Sequence, residues 1–175
     1  MKKLLFFLIV SIIYSACTNR TAGIHEIAKA DSSSVSFPYT ADYSSKFSIG
    51  SDSNALAVLN NYKAWETGDM ETFKNTIGDS VTLYFPDGSK FIGSRDSVMY
   101  YASKYRDSLS KVEIKMDGWI PLHSDDKNEN WVSVWYTEID THKNGKVDSA
   151  YYQDDNKIDK NRKIVFSSSK KQVLK

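Results

Sequence analysis

Tyr62-Lys63-Ala64-Trp65-Glu66-Thr67-Gly68-Asp69 is where the fold is decided, because it closes one helical pattern and opens a second within two residues. Upstream, Ala55, Val58, Leu59, Tyr62 and Trp65 recur at helical spacing behind the candidate N-caps Ser51, Asp52 and Ser53, and Gly68 supplies a stop. Asp69 can cap a second, short helix with Met70, Phe73 and Ile77 on one face and Gly78 at its end. Val81, Leu83 and Phe85 then alternate with Thr82 and Tyr84 as a strand, and Pro86-Asp87-Gly88 turns the chain into a short strand over 89–92. Gly93 and Ser94 introduce a third helix whose apolar side holds Val98, Tyr101, Ala102, Tyr105 and Leu109.

Working outward toward the C-terminus, the period changes to two. Val112, Ile114 and Met116 alternate with Lys111, Glu113, Lys115 and Asp117, which predicts a strand with one buried face. Trp131 to Ile139 is a second strand, and Asn144-Gly145 predicts a two-residue hairpin into a third, Lys146 to Gln153. A last strand, from Lys163 to about Ser168, follows the polar turn 159–162. Both faces of the strand 131–139 are largely apolar, so its outer face is expected to be covered, either by residues 37–50 or by a second copy in a homodimer.

The order is helix, helix, two strands, helix, four antiparallel strands. With Tyr62 to Asp69, the strand from Val81 into Pro86-Asp87-Gly88, Phe91-Ile92-Gly93 and the long C-terminal meander, residues 50 to about 170 resemble the nuclear transport factor 2-like superfamily, especially its SnoaL-like, polyketide-cyclase-like branch. The resemblance implies an α+β fold in which a cone-shaped, curved antiparallel sheet wraps three N-terminal helices and leaves a pocket at its open end. That agrees with the pattern read from the residues.

At the N-terminus, Lys2 and Lys3 precede an apolar run from Leu4 to Ile13, and Ser15-Ala16 leads into Cys17, the only cysteine in 175 residues. This is a secretion signal, too short for a membrane-spanning helix, which takes about 20 apolar residues. Tyr14-Ser15-Ala16-Cys17 resembles a lipobox, which implies cleavage before Cys17 and lipidation of it. The expected organisation is a signal peptide over 1–16, a lipidated Cys17 with a Ser- and Thr-rich tether over 17–50 partly packed on the domain, and the domain itself over 51–175. The expected location is an outer membrane, facing the periplasm. Loss of residues 1–16 removes two lysines and no acid, turning 23 basic residues into 21 against 22 acidic ones. Lysines and acids are interleaved, so nothing favours a nucleic acid partner.

Chemistry is sparse in the sequence. Steroid isomerases of the resembled superfamily carry a general base just before a proline and turn, and here that position is Phe85, which cannot take a proton. Asn61 or Tyr62 stands where that family keeps an oxyanion-binding tyrosine. His25 falls in the tether and His142 in a solvent-facing hairpin turn, whereas His123 can pair with Asp125 or Asp126. The run 140–145 has His142 in the third position of a calcium loop and Tyr151 in the twelfth, and there is no zinc spacing, phosphate loop or nucleophile elbow. No catalytic residue, metal or cofactor is therefore assigned. The aromatic residues remain, and Tyr62, Trp65, Phe85, Tyr101, Tyr105, Trp131 and Trp135 are the pocket candidates. The leading expectation is non-catalytic binding of a small apolar or aromatic ligand or a protein partner. A SnoaL-like enzyme working by acid–base chemistry and a structural envelope lipoprotein are the alternatives.

Overall fold

The computed structural model describes residues 36–173. The elements run β1 (Phe47–Ile49), α1 (Asp52–Thr67), α2 (Met70–Asn75), β2 (Ile77–Tyr84), β3 (Lys90–Ser94), α3 (Arg95–Arg106), β4 (Leu109–Ser124), β5 (Glu129–His142), β6 (Val147–Ile158) and β7 (Ile164–Val173). The chain divides into two units after Thr40, and the second carries all of these elements. Cys17 and the signal-like segment lie outside the described residues. Among the described residues no helix is long and apolar enough to cross a membrane.

The helix ends follow from local chemistry. The Ser51 side chain accepts a bond from the Ser53 amide at 3.2 Å, Asp69 from that of Thr72 at 3.0 Å, and Ser94 from that of Ser97 at 3.2 Å. Gly68 stops α1 at φ 77°, and its N–H bonds back to the last turn. The α2 helix is shorter than its apolar spacing predicts. Ile77 and Gly78 already belong to β2, because Ile77 pairs with Ile164 of β7 and the Ile164 amide bonds the Thr76 carbonyl at 2.9 Å. Leu109 likewise leaves the third helix and begins β4.

One seven-stranded sheet has the order β1-β4-β5-β6-β7-β2-β3. Its pairs are antiparallel except β2 with β7, which run parallel. The α+β fold with a curved, unclosed sheet over three helices is the one expected. The strands β4 to β7 outrun their predicted lengths. Bulges between Leu109 and Lys111 and between Met116 and Gly118 let β4 continue to Ser124. The β5–β6 connection is a three-residue loop, not a two-residue one. The His142 amide bonds Lys146 O at 2.8 Å, Gly145 takes φ 84°, and the Asn144 side chain accepts from the Lys146 amide at 3.0 Å.

The core lies where α1 crosses the concave face. Ala55, Val58 and Tyr62 meet Val132, Val134 and Tyr136 of β5, with Ile158 and Ile164 beyond. Burial of each such Val contributes about 1.5–3 kcal/mol. A second cluster of Ile77, Val81 and Val98 joins β2 to α3. On β5 the side with Val132, Val134 and Tyr136 is therefore concave, and Trp131 and Trp135 stand on the convex side. There the Trp131 indole donates to Tyr43 Oη at 3.1 Å, and the rings meet edge-on at 5.8 Å.

Candidate functional site

The concave face of the sheet and the three helices enclose a cavity of about 650 Å³. Its walls are mostly apolar and aromatic: Trp65 from α1, Phe73 from α2, Leu83 and Phe85 from the end of β2, and Tyr101 and Tyr105 from α3. Trp65 and Tyr105 are held together by a tie between their helices. Arg106 Nε donates to the Trp65 carbonyl at 3.0 Å and its Nη2 to the Glu66 carbonyl at 3.1 Å, satisfying the last carbonyls of α1. The two rings lie parallel at 6.1 Å.

The floor is polar and buried. Tyr62 Oη donates to Asp154 Oδ2 at 2.6 Å and Tyr136 Oη to the same oxygen at 2.9 Å. Asn156 Nδ2 approaches Tyr62 Oη at 3.3 Å, and the Tyr62 and Tyr136 rings meet edge-on at 5.0 Å. These four residues come from α1, β5 and β6, and all of them line the cavity. Two positions above Tyr136 along β5, Glu138 lines the same wall, and Asp140 beyond it accepts from Tyr105 Oη at 3.0 Å.

Burial sets the charges of this group. Desolvation, then the neighbouring charge of Asp140, lifts the Glu138 carboxyl to about 7. Asp154 and Asp140 are also raised, in both cases chiefly by burial and against the pull of their tyrosine hydrogen bonds. Burial, followed by the charge of Asp154 for Tyr62 and of Tyr62 itself for Tyr136, pushes both hydroxyls well above the usual tyrosine value, so they stay donors. The cavity thus offers hydrogen-bond donors and a carboxyl that exchanges its proton near neutral pH. Among the described residues no group of three His, Cys, Asp or Glu is placed to hold a metal.

Of the predicted pocket residues, Tyr62, Trp65, Phe85, Tyr101 and Tyr105 line the cavity. Trp131 and Trp135 do not. The pleat puts them on the convex side, where Trp131 packs on Tyr43 and Phe166. Phe85, Tyr101 and Tyr105 are 43%, 61% and 47% exposed and form the rim, whereas Tyr62 is at the floor. His123 bonds Asn130 through Nδ1 at 3.0 Å in place of an aspartate, and His142 is half-buried against Asp148 at 2.9 Å, not free in solvent.

Sequence reading missed Asp154 and Asn156, because Asp154-Asp155-Asn156 reads as turn chemistry and the strand was expected to stop at Gln153. The available signal was parity: Ala150, Tyr152, Asp154, Asn156 and Ile158 share one face if β6 runs on, as it does. No protein-family profile matches the chain, and no curated protein matches it in sequence. Solved structures do match it. A Mycobacterium tuberculosis LEH-like epoxide hydrolase is 13% identical with a TM-score of 0.58, covering 69% of this chain and 84% of its own. IdmH, a putative polyketide cyclase from Streptomyces antibioticus, is 12% identical with a TM-score of 0.55, covering 68% and 91%. A further Mycobacterium tuberculosis protein, solved in complex with estradiol-17beta-hemisuccinate, is 10% identical with a TM-score of 0.54, covering 66% and 91%. The chain has the nuclear transport factor 2-like fold.

Proposed function

We propose that this domain receives one small, largely apolar molecule, held between the aromatic walls with its polar group against the floor. The observation that carries the reading is a cavity of about 650 Å³ whose walls are apolar while Tyr62, Tyr136, Asp154 and Asn156 converge at its base. Ligand sites combine such walls with a few placed polar groups, in volumes of roughly 300–1,000 Å³. One structural neighbour was solved with estradiol-17beta-hemisuccinate, a largely apolar molecule with a polar end. In this reading the domain is carried on a membrane by lipid on Cys17 and faces the periplasm.

Glu138 favours a second reading, that of an acid–base enzyme. A carboxyl held at about 7 on the wall of the cavity takes or gives a proton readily at neutral pH, which is worth typically 10²–10⁴ in rate. An epoxide hydrolase and a polyketide cyclase share the fold, and both names describe chemistry on small organic molecules. Titration of the full chain with a steroid such as estradiol, followed through the fluorescence of Trp65, tests the binding reading. Saturation at one ligand per chain, with the signal lost in Trp65→Phe, supports it, and absence of any saturable signal across steroids and smaller aromatics refutes it. Turnover with an apparent pKa near 7 that vanishes in Glu138→Gln would move the assignment to the enzyme.

A further inference from the structure

The charge of the cavity narrows the ligand beyond its size, an inference that rests on the binding reading above. Glu138 and Asp154 line the cavity, and Asp140 stands beside Glu138 with Asp148 directly across from it on β6. Four carboxyls therefore lie along one concave face, of which Asp148 is already paired with His142 and Lys146, each at 2.9 Å. Asp154 is 4% exposed and Asp140 7%; Asp140 Oδ1 has no hydrogen-bond partner among the described residues, and Asp154 Oδ1 has none in hydrogen-bond geometry, although the Ser169 hydroxyl on the same wall acts on this carboxyl. A buried acceptor left bare is costly, so an oxygen of this kind on a cavity lining is a place prepared for a donor.

The basic residues do not fill that place. Lys90 lines the cavity only at its exposed rim, with Nζ 4.9 Å from the Tyr84 ring centroid. Lys171 is exposed, 5.4 Å from the Tyr152 centroid, and its charge only partly offsets the burial that raises Glu138 and Asp140. Arg95 pairs with Asp79, and Arg106 is spent on the carbonyls of α1. Tyr62 and Tyr136 stand at Asp154, and the rings of Trp65 and Tyr105 line the same cavity; aromatic faces attract a cation.

We propose that the cavity takes an apolar organic cation, an amine whose ammonium donates to Asp154 Oδ1 and Glu138 while its hydrocarbon body lies between the aromatic walls. A neutral acceptor would engage one protonated acid and leave the repulsion among the others in place. An ammonium supplies up to three donors and opposes the charges of Glu138, Asp140 and Asp154. Bound there, an ammonium would lower the proton affinities that burial raises at Glu138, Asp140 and Asp154.

The test compares two probes of one shape on the full chain by isothermal titration calorimetry near pH 8: 2-naphthylmethylamine and 2-naphthylmethanol. The amine should bind about tenfold or more tightly than the alcohol, as expected for a hydrogen bond to a charged group over one to a neutral group. Glu138→Gln and Asp154→Asn should each pull that ratio toward one, and the first keeps the test intact if the second fails to fold. Equal affinity for the two probes, or an amine preference that survives both substitutions, overturns the cation while leaving the ligand site standing. Binding of neither probe overturns the inference together with the reading beneath it.

Discussion

Replacing Glu138 by Gln keeps the shape of the side chain and removes its titration, so the effect on stability can be worked out. The carboxyl stands at 4.5 in the unfolded chain and at about 7 in the folded one, raised by burial first and by the charge of Asp140 second. Between those values the native state holds a proton that the unfolded state has lost. Stability then falls as pH rises, because the native state binds more protons. The contribution is fully present below pH 4.5 and is lost as pH passes through about 7. At about 1.4 kcal/mol per pH unit, the wild type loses up to about 3 kcal/mol at this residue, and Glu138→Gln does not. Urea unfolding followed by tryptophan fluorescence at about pH 4.5, 6 and 8 measures it. The variant should gain stability relative to wild type from the first pH to the last, and the difference reports Glu138 together with its coupling to Asp140 and Asp154. A stability difference that stays constant across the range would refute the assignment of Glu138 to a desolvated wall beside another acid.

Three further outcomes follow from the same structure. Tyr62→Phe removes the 2.6 Å bond to the buried Asp154 carboxyl and keeps that of Tyr136, so it should cost about 1–3 kcal/mol in urea unfolding, and Tyr136→Phe added to it should not be additive. Gly68→Ala forces a Cβ into φ 77° at the end of α1 and should cost about 1 kcal/mol in the same assay. Cys17→Ser should abolish labelling by radioactive palmitate in cells and leave the precursor uncleaved, and continued labelling would reject lipidation there.

Local pattern was enough for the helices, because caps and a 3.6-residue period are properties of neighbouring residues. Ser51, Asp69 and Ser94 each bond an amide two or three positions on, and Gly68 needs only its own backbone angle. The strands were legible as far as alternation held, and their extra length came from partners. Ile77 leaves its helix because β7 offers it a ladder, and β6 runs through Asp154-Asp155-Asn156 because β5 and β7 flank it on both edges. Aromatic walls could be named from helix faces, as Tyr62, Trp65, Tyr101 and Tyr105 were, whereas Trp131 and Trp135 could not be assigned to a face until packing fixed which side of β5 is concave. The acid floor is further still from local reading. Tyr62 and Asp154 are 92 positions apart, and nothing near either marks it for the other. Only the register of β5 on β6 and the seat of α1 across them bring these groups within hydrogen-bond reach, and only burial there raises the proton affinities of Asp154, Asp140 and Glu138, the last to about 7.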